Sequence, residues 1–407
     1  MTMFGQKNLQ SQLSWTPTRA EGLLGLERFL QHGMNSYGQN RNYDYGSEDR
    51  SNVSLLSPWI KHRLISEPEI LSIILHEYSL KEADKYIQQV VWRTYFKGWL
   101  EHRPSVWASY KIELARALDV LAQDAIISKT YETALSGRSG IDCFDHWLQE
   151  LQTTGYIHNH ARLWFASIWI FTFRLPWQLG ANLFMSLLLD GDIASNTLSW
   201  RWVAGLHTPG KFYQATSENI AKFTNERFAK THGLTVKATS LEETMAHPLT
   251  PLKFAPLEVN DDYLLLVTED DCSPEVYIDS VPAVTLGLLV SSDKGFLKQS
   301  SGVRGFSQGA VQDAVERTRL GGVVLQVDDW LEPVLTAAGD NRLKTVVTPY
   351  APVGPIADHL DLLEAALAPH GIELLQVRRG YDTNSWPYAT KGFFAFKKNV
   401  PIILGSL

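Results

Sequence analysis

The spacing of apolar residues divides the chain into two regions of different character. Up to about residue 230 apolar positions recur with a helical period, as at 83, 86, 87, 90, 91, 95 and 99. After residue 260, short aliphatic runs alternate with helical patterns. The pattern predicts an all-α region followed by an α/β region of Rossmann type, with a parallel, doubly wound sheet.

Local start and stop signals refine this prediction. Thr16 before Pro17 predicts one helix start, and Ser66 before Glu67 another, whereas the polar segment 35–54 reads as loop. Gly371 is a predicted helix C-cap. The predicted helices are 21–31, 83–100, 158–173, 181–190, 309–318, 331–338 and 356–369, and the predicted strands are 263–267, 284–290, 323–327, 344–348 and 372–377.

Composition then suggests where the domains meet. Residues 238–260 contain Pro248, Pro251 and Pro256 and read as a linker. We therefore predict a helical domain at 1–237 and an α/β domain at 261–407.

The charge of the chain is unevenly distributed. The 37 basic and 44 acidic residues give a net charge of -7, and residues 251–407 hold 13 basic and 20 acidic residues, which accounts for the whole excess. A globally basic nucleic-acid binder is excluded, but a local basic groove on the neutral first region is not.

Cysteine content and hydropathy indicate the compartment. Two cysteines cannot build a disulfide framework or a zinc cluster, which fits a reducing, cytoplasmic setting. The N-terminus shows no signal-peptide pattern, and the longest apolar stretch, 164–173, is too short to span a bilayer. We expect no membrane association.

Tryptophan is the most unusual feature of the composition. Eleven of the 13 tryptophans fall between Trp15 and Trp202. They indicate either a large aromatic core or surfaces for stacking flat ligands and conducting electrons.

Two helical faces carry candidate chemistry. Gln89, Trp92, Arg93 and Phe96 share one face, which is either a partly exposed stripe or the wall of a ligand pocket. Asn159, Arg162 and Leu163 share another face. His158 and His160 point in different directions, so we predict no metal site.

Two polar turns complete the candidates. Asp190, Gly191 and Asp192, followed by Asn196, suit a turn facing a polar ligand, with Arg162 as an ion-pair partner; an ordinary capped helix–turn–helix is the alternative. The segment 54–58 offers small hydroxyls at a helix start, a weak anion-site signal.

In this order and spacing, the motifs resemble the FAD-binding domain of the photolyase/cryptochrome family, over about residues 15–228. The matching blocks are NVSLLSP at 52–58, QVVWRTY at 89–95, GRSGID at 137–142, GYIHNHAR at 155–162, LDGDIASN at 189–196 and SWRW at 199–202. The strand–helix pattern at 263–399 resembles the family's antenna domain, which normally precedes the FAD domain; an unrelated Rossmann-like domain is the alternative.

The resemblance implies FAD as the cofactor. Ser54 and Ser57 would hold its phosphates, and Arg162, Asp190 and Asp192 would grip the isoalloxazine and ribityl groups. The implied cofactor contacts are completed by Leu56, Arg93, Gly191 and Asn196. Asn196 takes the position beside flavin N5, where an amide can hydrogen-bond reduced flavin without supplying an acidic proton. A second, antenna chromophore of unknown identity is also implied.

The resemblance further implies an electron-transfer chain. Trp200 and Trp177 match two of its tryptophans, while the distal member is not matched where we expect it, near Asp124.

On the substrate side, Trp92, Asn159 and Trp202 match the lesion pocket of cyclobutane-dimer photolyases, which act on a flipped-out dinucleotide. Gln89 replaces the glutamate usual in those enzymes, and Leu163 replaces a frequent methionine. Gln is the usual residue of (6-4) photolyases, but their histidine is replaced by Asn159.

The resemblance thus implies a light-driven DNA lyase that splits cyclobutane pyrimidine dimers in damaged DNA. A cryptochrome-type blue-light photoreceptor and a flavoprotein with another redox role are the alternatives, and the oligomeric state stays open. Candidate phosphate contacts are Arg93, Lys97, Arg103, Arg138, Arg201 and Lys211.

Overall fold

The computed structural model of the protein describes residues 15–253, 259, 262–290, 298–318 and 321–407. The first region is helical where it is described. Its helices are α1 (Arg19–His32), α2 (Met34–Asn40), α3 (Ser57–Lys61), α4 (Glu67–Glu77), α5 (Leu80–Glu101), α6 (Ser105–Gln123), α7 (Ala125–Leu135), α8 (Asp142–Thr154), α9 (Asn159–Ser167), α10 (Trp177–Leu187), α11 (Ile193–Ala204) and α12 (Ser217–Phe223). A π-helical turn, Ile168–Thr172, extends α9.

Helix caps explain several of these boundaries. Ser66 forms the predicted start of α4 through a capping box with Glu69, which satisfies two amide donors at once. The prediction for α1 was wrong by two residues, because the hydroxyl of Thr18, not Thr16, accepts from the Glu21 amide. The loop prediction for 35–54 was also wrong over 35–40, where the chain forms α2 and buries Tyr37.

The second region contains a five-stranded parallel sheet in the order β3-β2-β1-β4-β5, which confirms the predicted parallel topology. The strands are β1 (Leu264–Val267), β2 (Val284–Val290), β3 (Gly322–Val327), β4 (Thr345–Pro349) and β5 (Glu373–Val377). The order reverses between β1 and β4, so a crevice opens where these two strands end.

Helices cover both faces of the sheet. They are α13 (Ser301–Arg317), α14 (Leu331–Asp340) and α15 (Pro355–Leu367). The short helices α16 (Gly380–Ser385) and α17 (Phe393–Lys397) pack against α5 instead, and α18 (Val400–Leu404) packs against α16. Leu265 and Val267 of β1 pack with α13 and the helical region, whereas Leu264 and Leu266 pack with α14 and α15. Gly371 has a left-handed φ of 66° as a cap, here of the short 3-10 turn Ala368–His370.

The two regions share buried polar contacts. Arg63 forms an ion pair of 2.7 Å with Asp382 and lies 3.5 Å from Asp271, and all three side chains are buried. The carboxylate of Glu101, at the end of α5, accepts from the Tyr350 hydroxyl and the Val353 amide, both at 2.6 Å. The end of α5 is therefore tied to the carboxyl end of β4.

None of the helices in the described ranges is both long and apolar enough to cross a bilayer.

Candidate functional site

A cavity of about 510 Å³ lies among helices of the first region. Its walls come from the turn before α3, from one face of α5, from α9, from the end of α10 and from α11 with the turn before it. Every predicted site residue except Trp177 lines it: Ser54, Leu56, Ser57, Gln89, Trp92, Arg93, Asn159, Arg162, Asp190, Gly191, Asp192, Asn196, Trp200 and Trp202. Folding thus gathers these scattered motifs around one space.

The helical period of α5 places its residues as predicted. Gln89, Trp92, Arg93 and Phe96 all line the cavity. Because positions 3, 4 and 7 residues apart share a face, one helix supplies an amide, two aromatic rings and a cation to one wall. This face is therefore a partly exposed wall of the cavity, and its contact with a ligand stays a prediction.

Arg162 and Asp190 form the most regular pair of the site. The guanidinium donates two hydrogen bonds, of 3.0 and 2.9 Å, to the two carboxylate oxygens, and its Nε donates to the Ile157 carbonyl. Burial alone would raise the pKa of Asp190, but the Arg162 charge lowers it below the ordinary value. The cavity wall therefore keeps an ionised carboxylate fixed in one orientation.

Asp192 both caps a helix and faces the cavity. Its carboxylate accepts from the Ser195 amide at 2.7 Å and so begins α11. Burial opposes ionisation, yet Lys97 and Arg93 lower the pKa of Asp192. Asp192 is therefore a helix cap that also lines the cavity, while its contact with a ligand stays a prediction.

Arg93 brings an unsatisfied donor to the cavity. Its Nη1 is buried, lies 4.0 Å from Asp192 and has no hydrogen-bond partner within the described chain. Trp200 Nε1 is likewise buried and has no hydrogen-bond partner among the described residues. Buried donors without acceptors are costly, so this wall is suited to a ligand that brings acceptor atoms.

Asn196 is held by one end of its amide. Nδ2 donates to the Ala181 carbonyl at 2.8 Å. The carbonyl oxygen of the same side chain is then the end that can accept from a ligand N–H.

The two serines make local contacts of their own. Both serines line the cavity, and Ser57 contributes to the lowered pKa of Asp190. Helix α3 has only five residues, so its N-terminus offers little field for an anion. Between the serines, Leu55 adopts a left-handed φ of 58°, which turns the chain around the cavity.

Residues of the predicted lesion pocket lie toward the cavity mouth. Asn159 is exposed, and Trp202 is 37% exposed and stacks on Tyr213 at 5.8 Å. Trp92 is partly buried, because its ring stacks on Phe393 with centroids 3.4 Å apart and planes 9° from parallel.

Trp177 is buried outside the cavity lining. Its ring lies 5.6 Å from Tyr110, which in turn stacks on Trp107 at 5.5 Å. Trp200 packs against Phe184 at 5.1 Å and Trp169 at 6.4 Å. Asp124 caps α7.

The two histidines beside Asn159 bind backbone carbonyls. His158 Nε2 lies 3.1 Å from the Arg41 oxygen, and His160 Nδ1 lies 3.0 Å from the Asn42 oxygen. They therefore fix the 41–42 loop against α9.

Two of the six candidate phosphate contacts were wrong. Lys97 is buried 3.8 Å from Glu67, and Arg201 is buried with two bonds of 2.7 and 2.6 Å to Glu243. Arg103 donates to the Thr390 carbonyl, while Arg138 and Lys211 are exposed.

Sequence patterns missed several cavity residues. Phe394 reaches the cavity from α17, and His207 from beyond α11. Burial lowers the pKa of His207 to about 4, so this ring is neutral at pH 7. The aromatic run at 393–396 was visible in the sequence, but nothing local indicated that it would contact Trp92.

A second cavity of about 300 Å³ adjoins the first, and Gly191 and Asp192 line both. Its other walls include Trp107 and residues at the carboxyl ends of the strands, such as Asp270 and Val353. It occupies the crevice where the strand order reverses, and burial raises the pKa of Asp270 to about 6.

Comparisons with known proteins show which family part of this chain resembles. Residues 86–227 match the family model of the FAD binding domain of DNA photolyase. A deoxyribodipyrimidine photo-lyase of Streptomyces griseus is 30% identical over 174 residues, which cover 42% of this chain and 36% of that protein. A counterpart from Thermus thermophilus is 29% identical over 190 residues, covering 47% and 43%.

Among solved structures, a cryptochrome of Synechocystis sp. PCC6803 aligns with a TM-score of 0.44 and 23% identity, covering 54% of this chain and 46% of that one. This chain therefore spans less than half the length of the relatives it matches.

Proposed function

We propose that the protein is a light-driven lyase that splits cyclobutane pyrimidine dimers in DNA. The premise is that residues 86–227 match the FAD binding domain of DNA photolyase. One observation carries the proposal. The Arg162–Asp190 pair, Asn196 and Trp200 line the same cavity as Trp92, Asn159 and Trp202. The proposed cofactor contacts and the proposed substrate contacts then lie within one cavity.

The residues present fit a flavin dinucleotide. A volume of about 510 Å³ is in the usual range for ligand pockets. Arg93 Nη1, which has no hydrogen-bond partner among the described residues, matches an anionic phosphate oxygen, and the acceptor end of Asn196 matches a ring N–H. Bound FAD would supply the blue-light absorption and one-electron chemistry that side chains lack.

The side chains of the proposed substrate pocket would bind the dinucleotide by stacking and hydrogen bonding. Trp92 and Trp202 offer rings for stacking on a flipped-out dinucleotide, and the Asn159 amide can donate to and accept from a base edge. Gln89 can donate a hydrogen bond from its Nε2 but cannot deliver a proton, so we expect slower repair than with a carboxylic acid at this position.

The test is photorepair itself. Reduced protein is illuminated with a thymine-dimer oligonucleotide, and intact thymines are counted against a dark control. Restored thymines that depend on light would support the proposal, whereas none would remove it. The substitution Gln89→Glu should raise the yield per absorbed photon if the missing proton limits splitting.

A cryptochrome-type photoreceptor is the second candidate, favoured by Gln89 at the position of the proton donor. In that case illumination would change the scattering profile of the protein, and its affinity would be equal for damaged and intact DNA. A profile identical in light and darkness would exclude this candidate.

For the second chromophore we propose the 300 Å³ cavity. Trp107 and Tyr110 supply aromatic walls, and Lys61, Lys97 and Lys111 supply positive charge. The absorption spectrum of the purified protein tests this: Trp107→Ala should remove a second absorbing species while the flavin bands remain. If Trp107→Ala removed the flavin bands as well, or left the second absorbing species in place, this cavity would not be the chromophore site.

A further inference from the structure

An aromatic and basic segment from the second region lies at the mouth of the larger cavity. Its sequence over residues 391–398 is KGFFAFKK, with three lysines and no acidic residue. Phe393 and Phe396 are buried, but Phe394 is 81% exposed and also lines the cavity. A large apolar ring at the edge of a ligand site, left in water, is suited to contact with a partner.

The segment is held rigidly against α5. Trp386 packs on Gly98 so closely that a Cβ atom there would lie 2.8 Å from its Cδ1 and 3.0 Å from its Cα. His102 Nε2 lies 3.2 Å from the Trp386 carbonyl, and Arg103 donates to the Thr390 carbonyl at 2.8 Å. These contacts fix the residues that lead into α17.

Phe393 then couples the segment to the predicted substrate pocket. Its ring covers one face of Trp92 at 3.4 Å and also meets Tyr95 at 5.5 Å. Phe393 thereby fixes the position of Trp92, and the adjacent Phe394 is presented next to the other aromatic rings of the cavity.

The charges beside Phe394 indicate the partner. Lys391 and Lys398 are exposed and form no ion pair with the residues that the structure describes, while Lys397 lies 3.8 Å from Asp84. Exposed aromatics interleaved with lysines are the combination by which proteins bind single strands, since rings stack on bases and cations meet phosphates.

We propose that Phe394 is a stacking platform for a DNA base beside the flipped-out dinucleotide, with Lys391 and Lys398 on the flanking phosphates. The inference rests on the proposed function, because it deepens the description of the same site. It assigns substrate contacts to the second region of the chain.

Binding in darkness tests the ring. Dissociation constants are measured by fluorescence anisotropy for a thymine-dimer oligonucleotide and for the intact one. We expect Phe394→Ala to weaken binding about tenfold, as loss of one base–aromatic stack predicts, and Phe394→Trp to restore it. Ile402→Ala is the matched control, since Ile402 is 60% exposed on α18 but does not line the cavity; it should leave binding unchanged.

Salt dependence tests the lysines. Replacing Lys391 and Lys398 by glutamine should reduce the slope of log K against log salt by about one to two units, the value for two lost phosphate contacts. An unchanged slope would remove the lysines from the inference.

The outcomes separate this inference from the proposed function. If wild-type protein prefers dimer DNA and Phe394→Ala binds equally well, the stacking platform is wrong and the proposed function stands. If wild type shows no preference but Phe394→Ala still loses affinity, the platform stands and dimer recognition is wrong. Absence of any DNA binding would overturn both.

Discussion

Arg162 and Asp190 set the electrostatics of the larger cavity at the scale of single residues. Their two parallel bonds satisfy both carboxylate oxygens, and the Asp190 side chain is only 3% exposed. Such a pair is hard to break singly, because removing one partner leaves the other charge buried without compensation.

We therefore expect Asp190→Asn to destabilise the fold by about 3 kcal/mol and to lower the flavin content of the purified protein. Urea unfolding and the ratio of visible to protein absorbance measure the two effects. Asp119→Asn, at an exposed position of α6, is the control and should change neither. Full flavin content in Asp190→Asn would show that this carboxylate does not hold the cofactor.

His158 links the same site to pH. Its Nδ1 accepts from the His160 amide and its Nε2 faces the Arg41 carbonyl, which is the pattern of a neutral ring. Burial lowers the pKa of His158 to about 4. The unfolded chain binds this proton near pH 6.5, so between pH 6.5 and 4 the unfolded state holds more protons and acid destabilises the fold.

For each such histidine, the free energy of unfolding falls by up to about 1.4 kcal/mol per pH unit as the pH drops from 6.5 to 4. His158→Gln can accept and donate at comparable places without titrating, so the free energy of unfolding should fall less steeply from pH 6.5 to 4.5 than in wild type. Equal slopes in the two proteins would mean that His158 is not the titrating group.

At the scale of helices, α10 and α11 pack closely because Gly180 lacks a side chain. A Cβ there would overlap Cη2 of Trp200 and lie 2.7 Å from Cζ3 and 3.0 Å from Trp169 Nε1. Trp200 is buried and lines the cavity, so it has little room to move. Helix packing thus determines where the proposed electron-transfer residue lies.

Helix propensity alone would make Gly180→Ala stabilising by up to about 1 kcal/mol. The structure predicts the opposite, a loss of about 1–3 kcal/mol through overpacking, together with slower photoreduction as Trp200 is displaced. Gly305→Ala on α13 meets no atom within 4 Å and should stabilise instead. Thermal unfolding measures the stability of both variants, and flavin bleaching under blue light measures their photoreduction. The packing argument would be contradicted if Gly180→Ala and Gly305→Ala changed stability in the same direction.

At the scale of the whole molecule, a buried ionic network joins the helical region to the sheet region. Arg63 pairs with Asp382 and lies near Asp271, which Arg379 binds through two bonds of 2.7 Å. Burial raises the pKa of Asp382 even though Arg63 opposes this change. Arg63 is thus the charge that opposes protonation of Asp382 at the junction.

Arg63→Met should therefore cost about 3–5 kcal/mol in the free energy of unfolding, because it leaves a buried carboxylate without its cation. The double variant with Asp382→Asn removes that charge too and should recover part of the loss. A double-mutant cycle by urea unfolding measures the coupling; additive losses would show that the pair does not connect the two regions.

The sequence by itself determined the features that depend on neighbouring residues. The Ser66 capping box, the shared face of Gln89 and Trp92, and the alternation of strands and helices each follow from hydrogen bonds or periods within one element. They predicted the parallel sheet and the shared face of α5, but left open whether that face was an exposed stripe or a pocket wall.

Only the tertiary structure decided the contacts between distant segments. Phe393 stacks on Trp92, Arg201 is buried with Glu243, and Gly180 packs under Trp200 because the folded chain brings separate elements together. No local sequence pattern predicts these contacts. The charge or ring type of a residue does not indicate which of its surfaces a distant segment will cover in the folded chain. Burial, and with it the choice between a phosphate contact and a buried ion pair, is a property of the assembled fold.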